Sequence, residues 1–94
     1  MAKKILKYGE LFCGPGGFAL GAIQASENNK KYEIEYAWAN DIDEWACKTY
    51  AKNICKNIDD KSVVPGDIRD PKQFNIKKQK PIDILAFGFP CNDY

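Results

Sequence analysis

Apolar residues fall in short blocks along the chain, and the spacing inside the blocks switches between strand-like and helix-like. Ile5-Leu6-Lys7-Tyr8 leads into Leu11 and Phe12 as a β-strand does, and Gly14-Pro15-Gly16-Gly17 interrupts it. Phe18, Leu20, Ile23 and the alanines at 19, 22 and 25 predict a small-residue helix from about Phe18 to Ser26. A polar loop at 27–31 precedes Tyr32–Ala39, whose weak alternation and aromatic content predict a second strand. Asp43 is placed to N-cap a helix from Glu44 to about Asn53, with Trp45 or Ala46, Thr49 and Tyr50 on its packing face. After an irregular stretch at 55–62, Val63-Val64 reads as a short strand and Pro65–Asp70 as a turn. Pro71 opens a helical turn through about Phe74, and the lysine-rich link to Pro81 is loop. Ile82–Phe87 is nearly all apolar, which predicts a last strand buried on both faces, broken at Gly88.

Strands alternating with helices predict an α/β fold with a parallel sheet and right-handed crossovers. Ligands of such sheets lie beyond the carboxyl ends of the strands. Each conspicuous cluster sits at such an end: the glycine turn after the first strand, Asp41 after the second, Asp67 after the third and Cys91 after the fourth. Three glycines within four positions leave bare backbone for a ligand to approach, and the helix that follows turns its N–H groups towards it.

Composition narrows the possibilities. Ninety-four residues make one small domain, and 45% hydrophobic with 29% charged content is ordinary for a globular chain. No apolar run has the roughly 20 residues of a membrane helix, and the basic start lacks the apolar core of a signal peptide; the expected setting is cytoplasmic. A net charge of +1 makes no general electrostatic case for nucleic acid. Lysines at 3–4, 30–31 and 77–80 read as solvated loops. With no histidine and no Cys-x-x-Cys pair among the four cysteines, no metal site is expected, and the thiols are read as reduced.

The carboxylates divide by position. Asp43 serves the helix cap, which leaves Asp41 to accept hydrogen bonds from vicinal ribose hydroxyls. Asp67 is placed either to accept from an exocyclic amine, with Ile68 against a purine face, or to serve an ordinary turn. Glu10 is placed to attract a cationic group such as an ammonium. Together these describe an adenosyl amino acid. Cys47 and Cys55 read as small core residues and Cys13 as a small turn residue. Cys91 follows a proline at the ligand edge, where packing gives no reason for a thiol, and it is read as a nucleophile.

ELFCGPGGFALG (10–21), ANDID (39–43), PGDIRD (65–70) and DILAFGFPC (83–91) resemble, in order, the first four motifs of the cytosine-5 DNA methyltransferases. The resemblance covers nearly the whole chain. It implies a Rossmann-like S-adenosylmethionine-dependent methyltransferase fold, of which residues 1–94 form the N-terminal part, with about four strands of a mainly parallel sheet. It further implies that Phe12 touches adenine and that the Gly14, Pro15, Gly16 and Gly17 backbone borders S-adenosylmethionine. Asp41 holds the ribose with Ile42 against adenine, Asp67 binds the adenine amine with Ile68 beside it, and Cys91 is the catalytic nucleophile. The partner of the complete enzyme is double-stranded DNA, and a place in a restriction-modification system is implied.

Glu10 stands where the first motif more often has aspartate, and Asn92-Asp93-Tyr94 departs from the commoner continuation after Pro-Cys. The family's Glu-Asn-Val and Gln-x-Arg motifs and its target-recognition domain are not found in these residues. The expectation is an amino-terminal piece of a methyltransferase, inactive alone, with a complementing polypeptide as one source of the missing motifs. Two alternatives stand beside it. One is a dinucleotide-binding oxidoreductase domain, since Gly14-x-Gly16-x-x-Ala19 also satisfies that fingerprint. The other is a non-catalytic partner subunit.

Overall fold

The computed structural model describes residues 3–14 and 16–87. Its elements run β1 (Lys4–Leu11), α1 (Gly17–Glu27), β2 (Tyr32–Asp41), α2 (Glu44–Ile54), β3 (Val63–Pro65), a 3-10 turn (Ile76–Lys78) and β4 (Ile84–Phe87). The strands form one sheet in the order β3-β2-β1-β4, every neighbouring pair parallel. The α/β expectation therefore holds.

Strand order explains the layers. From β1 to β3 the chain steps one way across the sheet, and right-handed crossovers put both helices on one face. Tyr8, Ala19, Ala39, Cys47, Tyr50, Ala51 and Val63 close that core. To reach β4 the chain must return past β1, and the 66–82 strap crosses the opposite face. There Leu11, Trp38 and Phe74 are buried, with Ile68 and Ile82 packed against them. The rings of Trp38 and Phe74 meet at 5.6 Å and 52°, a tilted pair of the kind that adds about 0.5–1.5 kcal/mol beyond area burial. Trp38 Nε1 donates to Lys80 O at 3.0 Å and fastens the end of the strap. Reversal of direction at β1 makes the β1/β4 boundary the switch point of the sheet, and its carboxyl edge the natural ligand crevice.

β2 carries one more residue than β1 around Tyr8/Gly9, where the register slips and Trp38 comes to lie opposite Gly9. A Cβ on Gly9 would stand 2.8 Å from the Trp38 indole, so only glycine fits beneath it.

Three expectations change. The apolar stripe of α2 is Cys47, Tyr50, Ala51 and Ile54, spaced as positions i, i+3, i+4 and i+7. Trp45 and Thr49 lie off that stripe and are exposed, with Lys48 Nζ 5.0 Å from the Trp45 ring centroid. The last strand starts at Ile84 and is not buried on both faces: it alternates, leaving Leu85 43% and Phe87 55% exposed. Among the described strands β4 is an edge, and the strap covers Leu11 and Trp38 on β1 and β2. The link before it is not all loop, because Asn75 caps the Ile76–Lys78 turn by accepting from Lys77 N. Pro71 opens the expected single helical turn, with Asp70 O accepting from Gln73 N and Phe74 N.

Candidate functional site

The carboxyl ends of β1, β2 and β3 are tied into one surface. Asn40, at 1% exposure, is the knot: its side-chain amide donates to Val64 O at 2.9 Å and Gly66 O at 3.0 Å, while its backbone oxygen accepts from Cys13 N at 3.1 Å. Gly66 N in turn donates to Asp41 O at 3.0 Å. Nothing in the pattern of Asn40 as a polar strand end marked it as a keystone. Its role depends on both neighbouring strands being in place.

The glycine turn has an unusual backbone. Phe12 adopts φ 56, Gly14 φ 53 and Gly16 φ 105. A left-handed phenylalanine is strained, and such strain persists where the surroundings fix it; here it leaves Phe12 36% exposed at the sheet edge. The glycines serve different ends. A Cβ on Gly16 would meet Ile54 Cγ1 at 2.9 Å and Tyr50 Cδ2 at 3.2 Å, so Gly16 is the close contact between turn and α2. Cβ atoms on Gly14 or Gly17 would meet nothing within 4 Å. Gly17 is not in the left-handed region and already begins α1, so its openness, not its conformational freedom, is what it offers. Gly16 caps α1 without any side-chain hydrogen bond, and no acidic residue occupies the first turn. Among the described residues, the first N–H groups of α1 thus have no side-chain acceptor, and the positive end of the helix dipole faces the edge.

Asp41 is not left free. Oδ2 accepts from Gly14 N at 2.9 Å and Oδ1 from Asp43 N at 2.8 Å, so this carboxylate joins the glycine turn to the start of α2. Each oxygen retains a second lone pair. Asp43 performs its expected cap, accepting from Trp45 N and Ala46 N. Ile42 beside them is 67% exposed.

Asp67 is occupied differently. Arg69 grips it through Nε at 3.0 and 3.1 Å and Nη2 at 2.6 Å, and Arg69 N donates to Oδ1 at 2.9 Å. These bonds hold the Asp67 carboxyl down to about 2. Ile68 packs partly into the Trp38 cluster, so only part of its surface is available at the edge.

Glu10 does not present its charge to the surface. It is 0% exposed, its Oε1 accepts from Tyr8 Oη at 3.0 Å and Tyr50 Oη at 3.4 Å, and Oε2 has no partner among the described residues. Burial raises its carboxyl above the ordinary range against the opposing pull of both tyrosines. Cys13 and Cys47 are buried beside each other, and the hydrogen bond between them raises the Cys13 thiol and lowers that of Cys47. Pro15 and Cys91 lie outside the described residues. Among those described, no group of three or more potential ligand side chains is placed to hold a metal ion, and no helix is long and apolar enough to cross a membrane.

A sequence profile of the C-5 cytosine-specific DNA methylases matches residues 6–94. The chain belongs to that family. As a C-5 cytosine DNA methylase it is similar to the type II methyltransferase M.BbvI of Brevibacillus brevis, with 56% identity over 92 residues covering 92% of this chain and 24% of that protein. It is similar also to M.NgoFVII of Neisseria gonorrhoeae, at 39% over 84 residues and 89% against 19% coverage. M.Eco47II of Escherichia coli gives 36% over 86 residues and 90% against 17%. The chain spans about a quarter or less of the length of these relatives. No solved structure matches it. Membership of this family sets the dinucleotide oxidoreductase aside.

Proposed function

We propose that this chain supplies the S-adenosylmethionine site and the nucleophilic cysteine of a DNA (cytosine-5-)-methyltransferase, residues 1–94 being the N-terminal part of its catalytic domain. The observation that carries the reading is the uncapped start of α1 beside the open backbone of Gly14 and Gly17, with Asp41 hydrogen-bonded to the same turn. A Cβ would fill the space that a ligand needs there, and the α1 N–H groups suit a carboxylate.

The residues present fit the cofactor. Phe12 and Ile42 offer exposed apolar surface for the adenine, Asp41 has lone pairs left for the ribose hydroxyls, and Asp67 is an ionised acceptor for the adenine amine once Arg69 yields, with Ile68 beside it. When bound, the cofactor supplies an electrophilic methyl group on a sulfonium. Cys91, by its place in the Phe-Pro-Cys motif, is assigned the attack. Its thiolate adds to carbon 6 of a cytosine flipped out of the duplex, which makes carbon 5 nucleophilic towards the methyl group. Loss of the carbon-5 proton and expulsion of the cysteine then restore the ring. Target recognition and the positioned acid for the cytosine ring are assigned to polypeptide outside these residues, in the same chain or in a complementing one.

Calorimetry with S-adenosylhomocysteine tests the binding half: weak binding is expected, and no binding by folded protein would remove the site. Transfer of labelled methyl groups to cytosine-containing DNA tests the rest. The 94 residues alone should be inactive, since general acid-base assistance of this kind is worth about 10²–10⁴ in rate. Activity should return on adding the remaining motifs, and Cys91→Ala should abolish it. Cysteine-dependent turnover by the 94 residues alone would contradict the division of labour.

A further inference from the structure

Glu10 is the one buried charged group that the proposed chemistry leaves unexplained among the described residues. It faces Ala39 and Ala86 across the neighbouring strands, so small residues on both sides make room for it. A carboxyl in such a place is costly, and a well-packed apolar side chain of similar volume is often as stable or more so. Stability alone does not account for it.

Its contacts suggest what does. Oε1 gathers the hydroxyls of Tyr8 from β1 and Tyr50 from α2. Tyr50, at 0% exposure, also forms part of the surface against which Gly16 closes. A chain of contacts therefore runs from the strand end through Glu10 and Tyr50 to the cap residue of α1. Gly16 is held from below at the point where the backbone takes its left-handed step. We propose that Glu10 and Tyr50 form a latch beneath the glycine turn that fixes Gly16 and thereby positions the backbone of Gly14, Gly16 and Gly17 for its ligand. The identity of that ligand rests on the function proposed above; the latch itself does not.

The surroundings define how Glu10 responds to pH. Tyr8 and Tyr50 are pushed above their ordinary range by burial, and Cys13, beside the same cluster, is raised as well. Cys47, behind Cys13, is lowered, and Tyr36, its ring tilted against that of Tyr50 at 5.7 Å, is raised. α1 contributes Ala19 and Ala22, and β4 contributes Ile84 and Ala86, none of them charged. Because the folded-state value of Glu10 lies above its reference of 4.5, its contribution to stability is complete below that pH and is lost as pH rises through the folded value.

The test compares Glu10→Leu, Glu10→Gln and Tyr50→Phe by amide hydrogen exchange across Gly14–Ala19 without ligand, and by calorimetry with S-adenosylhomocysteine. Glu10→Leu should keep or raise the denaturation midpoint, while exchange at Gly16 and Gly17 speeds up, and affinity falls, by about tenfold. Glu10→Gln, which retains an acceptor for both hydroxyls, should return both to within about threefold of wild type, and should flatten the decline in stability above pH 4.5. Tyr50→Phe, which loses one hydroxyl, should speed exchange by about threefold even if Glu10→Leu does not fold. Wild-type exchange at the turn in folded Glu10→Leu, or in Tyr50→Phe, overturns the latch. Faster exchange in the variants with no ligand binding even by wild type would uphold the latch and overturn the proposed function.

Discussion

Asp41 and Asp67 end adjacent strands and carry the same charge, yet the protein holds them in opposite ways. Asp41 accepts from the backbone N–H groups of Gly14 and Asp43, donors set by the fold. Asp67 is gripped by Arg69, whose side chain is 85% exposed. One carboxylate is a structural bolt between two turns with lone pairs to spare, and the other is covered by a cation that solvent can reach. Pre-organisation of the site is therefore uneven: firm on the β1/β2 side and releasable on the β3 side. Under the function proposed above, a ligand binding across both would meet Asp41 already in place for the ribose and would have to displace a guanidinium from Asp67 to reach it with the adenine amine.

The largest effect belongs to the firm side. Gly16→Val places a branched side chain against Ile54 and Tyr50 at a φ of 105, and overpacking with backbone strain should cost about 3 kcal/mol or more. Gly17→Ala, whose Cβ enters open space at the start of a helix, should leave stability within about 0.5 kcal/mol and weaken S-adenosylhomocysteine binding instead. Urea denaturation and calorimetry separate the two. Equal loss of stability in both would mean that the turn does not divide into packing and ligand-facing glycines.

Local signals made half of this contrast readable in advance. The glycine break, the Asp43 cap and the alternation of strand and helix act through neighbours a few residues apart, and each falls within a residue or two of its expected place. What the pattern hid depends on partners far along the chain. Asp41 looked unengaged because one of its two donors, Gly14, is 27 residues away. Glu10 looked available to a ligand because no local feature shows that Tyr50 will cover it from α2. Leu85 and Phe87 looked buried because an apolar run does not say whether its strand is central or at an edge. Trp45 looked like core because one helical turn admits two neighbouring stripes, and the sheet chooses the one that starts at Cys47.

Next in size is the bolt itself. Asp41→Ala strips acceptors from Gly14 N and Asp43 N and should destabilise the fold by about 1–3 kcal/mol, besides weakening ligand binding. Asp67→Ala, measured by the same urea denaturation, should leave stability unchanged within error, because its partner is exposed. Matching losses for the two aspartates would erase the distinction between bolt and cover.

The smallest effect sharpens the releasable side. Arg69→Ala should let the Asp67 carboxyl rise from about 2 towards its reference value of 3.8, since the bonds from Arg69 are what depress it. A carboxyl lower in the folded than in the unfolded state stabilises above the unfolded value, and that contribution fades as pH falls through the folded one. Any stability that Arg69→Ala loses, kept small by solvent screening of this exposed pair, should therefore show in thermal melts at neutral pH and disappear on acidification from about pH 4 towards pH 2. Its binding of S-adenosylhomocysteine should be unchanged or slightly tighter, because under the proposed function the guanidinium would compete with the adenine amine for the same oxygens and no longer has to be displaced. Carbon-detected NMR titration of the Asp67 carboxyl follows the first change, and calorimetry at two salt concentrations follows the second, as salt should narrow the difference between wild type and variant. If the Asp67 titration does not move, the Arg69 grip is not a feature of the protein in solution. If binding weakens instead, Arg69 orients Asp67 for the ligand and does not cover it.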